Sequence, residues 1–296
     1  MKPKYIDIHS HVNFSAFDAD RDEVIRRALD NDTWVINVGT QIDTSRKAVE
    51  MANQYPEGVY AIIGLHPIHT AASFHDKKEL GEEGAEFTSR GENFDKDTYR
   101  ELLKDPKVVA IGECGLDYYR SDTAYIENQK KNFIEQIELA NEFNKPLMLH
   151  IRNNKEKPEF DAYKDSLELL KKHLKDNPST PFDKTQGKSL RARGDVHFFA
   201  GTVEDAKAFN DFGFTVSFTG VITFTTDYDE IIKNIPLEMI LTETDAPYVT
   251  PIPYRGKRNE PVYVKEVVKK IAQVKNLQEE EVAVQIIKNA QKLFGI

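Results

Sequence analysis

The chain has 296 residues, 49 acidic against 40 basic side chains, a formal net charge of -9 and one cysteine. That length buries a large core, as one large α/β domain or two ordinary ones, and 40% hydrophobic residues exclude a disordered or low-complexity chain. The acidic balance argues against capture of nucleic acid by bulk charge, and the lone Cys114 rules out a disulfide framework or a multi-thiolate zinc site, leaving His, Asp and Glu to hold any metal. In chain order, short apolar runs predict strands at Tyr5–His9, Trp34–Val38, Val59–Ile63, Val108–Gly112, Leu147–His150, Asp195–Phe198, Phe214–Ser217 and Met239–Thr242. Amphipathic stretches alternate with them. Ile126, Phe133, Ile137 and Ala140 share one face of a 3.6-residue period, as do Val264, Val267, Val268 and Ile271, then Val282, Ile286, Ala290 and Leu293.

Eight short buried strands, each followed by a helix, predict an α/β fold of the closed (β/α)8 TIM-barrel type rather than a doubly wound sheet. One barrel is expected over 1–296, with polar insertions near 72–94 and 176–194. The first follows strand three and is expected as a loop on the active face. Its carboxylates Glu79, Glu82, Glu83 and Glu86 would repel a polyanion if they faced inward. The second precedes strand six and is expected on the opposite face, with its basic Lys188–Arg193 run a solvated surface.

In a barrel the catalytic groups belong at the carboxyl ends of the strands. Strand one ends in Asp7-Ile8-His9-Ser10-His11, and residues i and i+2 of an extended segment point to the same side, so the two imidazoles can face one metal. Strand three ends in Gly64-Leu65-His66-Pro67, strand four in Glu113, strand five in His150 with Arg152 beyond it, strand six in His197, and strand eight in Glu243-Thr244-Asp245. Five of the eight histidines therefore sit at strand ends, beside carboxylates at the ends of strands four and eight. An imidazole and carboxylate set without thiolate suits Zn, Mn, Ni, Fe or hydrated Mg. Four histidines and two carboxylates exceed what one catalytic ion needs, whereas two ions sharing a carboxylate use them all, with Glu113 the natural bridge. Such a pair activates water and binds a phosphoryl oxygen, which points to hydrolysis.

These motifs make the chain similar to the TatD family of metal-dependent deoxyribonucleases, within the amidohydrolase-like hydrolase barrels. The resemblance rests on DIHSH, GLHP, AIGECGLDYY (Ala110–Tyr119), PLMLHIR (Pro146–Arg152), HFFAG (His197–Gly201) and above all TETDAPYVTPIPYRGKRNEP (Thr242–Pro261). It implies that His9 and His11 bind the first metal, that Glu113 bridges, that His150 and His197 bind the second, and that Asp245 binds the first metal and serves as base for the attacking water. It further implies that His66 touches the scissile phosphate, where Arg152 can add a forked donor. Asp117, Tyr119, Tyr254, Arg255, Asn259 and Glu260 are expected to brace the rim. Phe198 and Ala200 replace a family cysteine and serine, the usual His-Pro-His is spread to His66-Pro67-Ile68-His69, and Asn153 stands where aspartate is common.

The resemblance implies a deoxyribonuclease using two divalent ions, Mg or Mn in function with Zn, Ni or Co also compatible. It would act as a 3′ to 5′ exonuclease on single-stranded or frayed DNA. Arg255, Lys257 and Arg258 would attract the strand, and Tyr118, Tyr119, Tyr248 and Tyr254 would offer stacking surfaces. The alternatives are ester hydrolysis on the same barrel, in particular D-aminoacyl-tRNA deacylation, and a non-catalytic binding barrel. No apolar run approaches the roughly 20 residues that span a bilayer, and the start is not of signal-peptide type, so a cytoplasmic monomer without a membrane or obligatory protein partner is expected.

Overall fold

Eight parallel strands, joined by helices, follow one another around a barrel in the computed structural model, which describes residues 2–75, 87–119, 123–175, 182–183, 188–189 and 193–296. The order is β1 (Tyr5–Ser10), α1 (Arg21–Leu29), β2 (Thr33–Val38), α2 (Ile42–Asn53), β3 (Val59–Ile63), α3 (Lys96–Leu102), β4 (Val108–Asp117), α4 (Thr123–Phe143), β5 (Leu147–Arg152), α5 (Ala162–His173), β6 (Gly194–His197), α6 (Val203–Asp211), β7 (Phe214–Phe218), α7 (Asp229–Asn234) and β8 (Ile240–Thr242). Helices α8 (Val264–Lys275) and α9 (Glu279–Phe294) complete the chain. Each strand pairs in parallel with the next, from β1 to β8. The seam between β8 and β1 is held just past the end of β8, where Asp245 N donates to His9 O at 2.9 Å and His11 N to Ala246 O at 2.8 Å. This is the expected (β/α)8 TIM barrel.

Strands β1, β2, β4, β6, β7 and β8 are buried at every position, because helices cover the outside while side chains fill the inside. The helices carry matching signals. Thr202 and Asp205 form a capping box that starts α6, and Asp161 accepts from Lys164 N at the start of α5. Asn276 and Gly295 end α8 and α9 in the left-handed conformation. Among the described residues no helix is long and apolar enough to cross a membrane.

Strand β4 corrects the sequence expectation. It does not stop at Gly112 or Glu113 but runs on to Asp117. Its register against β5 slips between Ile111 and Cys114, so Gly112 and Glu113 together oppose Met148 in a bulge. Gly115 permits the continuation: its φ is +133°, and a Cβ there would lie 2.2 Å from His150 O. Glycine, which ordinarily suggests a strand end, here marks the close approach of β5.

The insertions are only partly described. Ser73–His75 pairs antiparallel with Phe87–Ser89, and Phe182–Asp183 with Lys188–Ser189. Glu79, Glu82, Glu83 and Glu86 lie outside the described residues, as do 190–192 of the basic run. Arg193, its last residue, is not a solvated charge: its guanidinium lies 4.3 Å from the Phe212 ring centre and donates to Leu174 O at 3.0 Å. The first insertion rejoins the barrel through Glu92, which accepts from Ile42 N at 3.2 Å, and through buried Phe94, stacked on Tyr99.

Candidate metal centre

The carboxyl ends of the strands bring His9, His11, His66, Glu113, His150, His197 and Asp245 into one cluster. The bulge in β4 places Glu113 at its middle, and the two carboxylate oxygens face different partners. Oε2 lies 3.2 Å from His9 Nε2 and 3.8 Å from His11 Nε2. Oε1 lies 3.0 Å from His150 Nδ1, 3.2 Å from His66 Nε2 and 3.6 Å from His197 Nε2. Asp245 joins the first side, with Oδ1 at 3.3 Å from His11 Nε2 and 4.0 Å from His9 Nε2. Among the described residues, three sets of donor atoms are close enough to share an ion: His9, His11 and Glu113; His66, Glu113 and His150; and His9, His197 and Glu243. Ligands about 2.1 Å from a zinc-like ion sit roughly 3.4 Å apart in a tetrahedron, so these separations suit coordination.

Hydrogen bonds set the role of each ring. His11 Nδ1 is taken by Val38 O at 2.9 Å and His197 Nδ1 by Glu243 Oε2 at 2.9 Å, so in both rings Nε2 faces the cluster. His150 Nε2 is held by Asp117 Oδ2 at 2.8 Å, which turns Nδ1 inward. His9 Nδ1 is buried with no hydrogen-bond partner among the described residues, while its Nε2 lies 3.2 Å from His11 Nε2. Nitrogens and carboxylate oxygens converge here in a donor set able to hold a cation. His66 differs. Its Nδ1 accepts from Ile68 N at 3.1 Å, and burial lowers its pKa, so the neutral ring carries its proton on Nε2 and presents an N–H to the cluster.

Without a metal, protons supply the missing positive charge. Burial pushes His9 down to about 4, helped by the His197 charge. Burial also opposes protonation of His150 and His197, but Asp117 and Glu113 lift the first to about 9, and Glu243 and Glu113 lift the second to about 10. Burial would raise Glu113 and Asp245, yet the surrounding imidazoles hold Glu113 well below the usual carboxylate range, and His11 keeps Asp245 low. His150 and His197 therefore stabilise the metal-free fold fully below about pH 6.5, and that contribution is lost as pH rises through 9 to 10. The chelated protein is expected to melt at lower temperature at pH 10 than at pH 7, whereas a dication, needing unprotonated nitrogens, binds more tightly over that interval. Melting curves in chelator and metal titrations at both pH values check this. Unchanged melting would contradict the assignment of proton-bearing rings.

The period of two that singles out His9 and His11 also reaches polar residues the sequence reading passed over. Asp7 accepts from Thr244 N at 2.8 Å and Thr244 Oγ1 at 2.5 Å across the seam. Asp195, two residues before His197, accepts from Thr215 Oγ1 at 2.6 Å and lies 2.6 Å from Ser217 Oγ, and burial with the nearby Glu243 charge pushes it up to about 7. Asp117, expected to brace the rim, accepts from Tyr119 N at 2.9 Å through Oδ1 and also holds His150 through Oδ2. Asn259 braces the rim, donating to Thr244 O and Tyr248 O. Arg152 lies 3.9 Å from the Tyr119 ring centre. The expected cationic and stacking rim is mostly engaged: Arg258 is paired with Asp20 at 2.5 Å, Arg255 lies over Phe224, and Tyr254 stacks on Tyr263. Tyr118 is core, fully buried and bonded to Asp165, because its side chain leaves the strand end toward the helices.

Comparison with known proteins agrees with this geometry. Residues 6–295 match the family described as TatD related DNase. The chain belongs to the TatD family. Among its relatives, an uncharacterized metal-dependent hydrolase of Bacillus subtilis, YabD, is 36% identical over 98% of both chains. One from Methanocaldococcus jannaschii is 31% identical over 98% of this chain and 97% of its own. The crystal structure of a TatD homologue from Escherichia coli, YJJV, covers both chains fully with a TM-score of 0.76 at 25% identity. This TatD chain is a metal-dependent hydrolase by family, and its cluster of histidines and carboxylates is able to bind metal.

Proposed function

We propose that the chain is a deoxyribonuclease that requires two divalent ions, Mg or Mn, and removes nucleotides from the 3′ end of single-stranded or frayed DNA. The observation that carries this reading is the division of Glu113 between two groups of imidazoles at the barrel mouth, with the His66 N–H pointing into the same space. His9, His11 and Asp245 would hold one ion, His150 and His197 the other, and Glu113 both. Bound there, the ions would lower the pKa of water and neutralise charge on the phosphoryl group. Asp245, kept ionised by its imidazole neighbours, would take a proton from the attacking water. His66 Nε2–H donates to a phosphoryl oxygen, and Arg152, two residues beyond His150, adds a forked donor at the rim. The choice of DNA over other esters is supported by the family description.

The test is one preparation assayed on end-labelled single-stranded DNA, RNA and a D-aminoacyl-tRNA. Chelator should abolish shortening of DNA from its 3′ end, and Mg or Mn should restore it. Activity indifferent to chelation would overturn the metal mechanism. Metal-dependent cleavage of the aminoacyl ester alone would replace the nuclease reading with deacylation.

A further inference from the structure

We propose that Glu243 is a positioning residue that sets the metal affinity of the centre by holding His197, an inference that rests on reading the Glu113 cluster as a metal centre. The Glu243 carboxylate is fully buried just beyond β8, and both of its oxygens are engaged from neighbouring strands. Oε2 accepts from His197 Nδ1 at 2.9 Å and lies 2.9 Å from Ser217 Oγ, whose single hydroxyl hydrogen is shared between Glu243 and Asp195, and Oε1 accepts from Phe198 N at 2.6 Å. Phe198 adopts a φ of +45°, a left-handed conformation costly for an aromatic residue, and in it the N–H reaches Oε1. Ser217 is itself anchored at 2.6 Å from Asp195 Oδ2, so the chain of contacts extends from the base of β6 to the centre.

Two readings of Glu243 compete. One of its oxygens is close enough to His9 and His197 to be a ligand itself. However, Oε2 already accepts from the His197 ring and Oε1 from Phe198 N, so ligation would strip buried donors of their partners. The contacts instead fit an outer carboxylate that fixes an imidazole. By taking the Nδ1 hydrogen, Glu243 leaves Nε2 as the ring atom 3.6 Å from Glu113 Oε1. His197 is also stacked on His9 with centroids 3.5 Å apart and planes 17° apart, so tilting His197 disturbs a second imidazole of the cluster.

Competition of the full chain against a chromogenic chelator for Zn2+ tests this without reference to turnover. Glu243→Gln leaves the His197 Nδ1–H and the Phe198 N–H sharing one acceptor oxygen and should weaken Zn2+ binding about 10- to 100-fold. Ser217→Ala removes one support and should weaken it about fivefold. Added to His197→Ala, Glu243→Gln should change affinity by less than about twofold, because its route to the metal is already gone. Parent-like affinity in Glu243→Gln or Ser217→Ala overturns the proposal, whatever happens to the melting temperature of the chelated variants. So do losses that multiply in the double variant, which would make Glu243 a ligand or a support of the whole fold. A parent chain that binds no Zn2+ overturns the metal-centre reading itself, and this one with it.

Discussion

Glu113→Ala is expected to slow hydrolysis at least about a hundredfold and to abolish binding of metal on both sides of the cluster. Among the described residues of the cluster, it is Glu113 that meets His9 and His11 through one oxygen and His66, His150 and His197 through the other. Its loss also removes the charge that faces the proton-bearing rings of the metal-free protein. Truncating one partner of a buried charge cluster costs about 3–5 kcal/mol, so the chelated variant should also unfold at lower denaturant concentration than the parent. Glu113→Gln separates the effects, since it keeps the shape of the side chain while removing the charge and replacing one acceptor oxygen with an NH2 donor. Turnover within a few-fold of the parent in either variant would remove Glu113 from the mechanism.

The fold was legible because a parallel strand covered on both faces is apolar along its length, and each such run in this chain is followed by a helix-period stretch. The strand ends were less legible where glycine had two meanings. Gly112 suggests a stop, and only the register against β5 shows that Gly112 and Glu113 form a bulge and that Gly115 lets the strand continue to Asp117. The histidines of the centre were visible as residue types placed at strand ends. Their partners were not, because Asp117, Asp195 and Glu243 act through contacts between strands that are far apart in sequence or read in a different register. The pairing of the rim cations was hidden for a related reason: composition shows that Arg258 is cationic, but not that Asp20, 238 residues away, pairs with it.

The net charge of -9 also has a different weight once side chains are placed. Several surface charges cancel locally, as in Arg27 with Glu260, Arg100 with Glu142 and Lys96 with Glu138. Exposed pairs of this kind add little stability, but they remove long-range attraction for a polyanion. Attraction for an anionic substrate is thereby concentrated where dications and the His66 N–H would meet it. Binding should accordingly depend less on salt than in proteins that grip the backbone with many lysines and arginines.

Asp245→Asn is expected to reduce turnover at least about a hundredfold while leaving one side of the cluster able to bind metal, which distinguishes it from loss of Glu113. Asp245 reaches His11 Nε2 at 3.3 Å and His9 Nε2 at 4.0 Å, whereas the contacts of His150 are with Glu113 and Asp117. The backbone argues that this placement is specific: Asp245 has a φ of +56°, its N–H is tied to His9 O at 2.9 Å, and its carbonyl accepts from Tyr248 N. Aspartate and asparagine both tolerate that left-handed conformation, so the substitution removes charge and basicity with little disturbance of the seam. Metal content should fall by about half rather than to zero, if each side holds one ion, and turnover should fall much further than content. Equal falls in content and turnover would mean that Asp245 only binds metal and takes no proton, and unchanged turnover would remove it from the centre altogether.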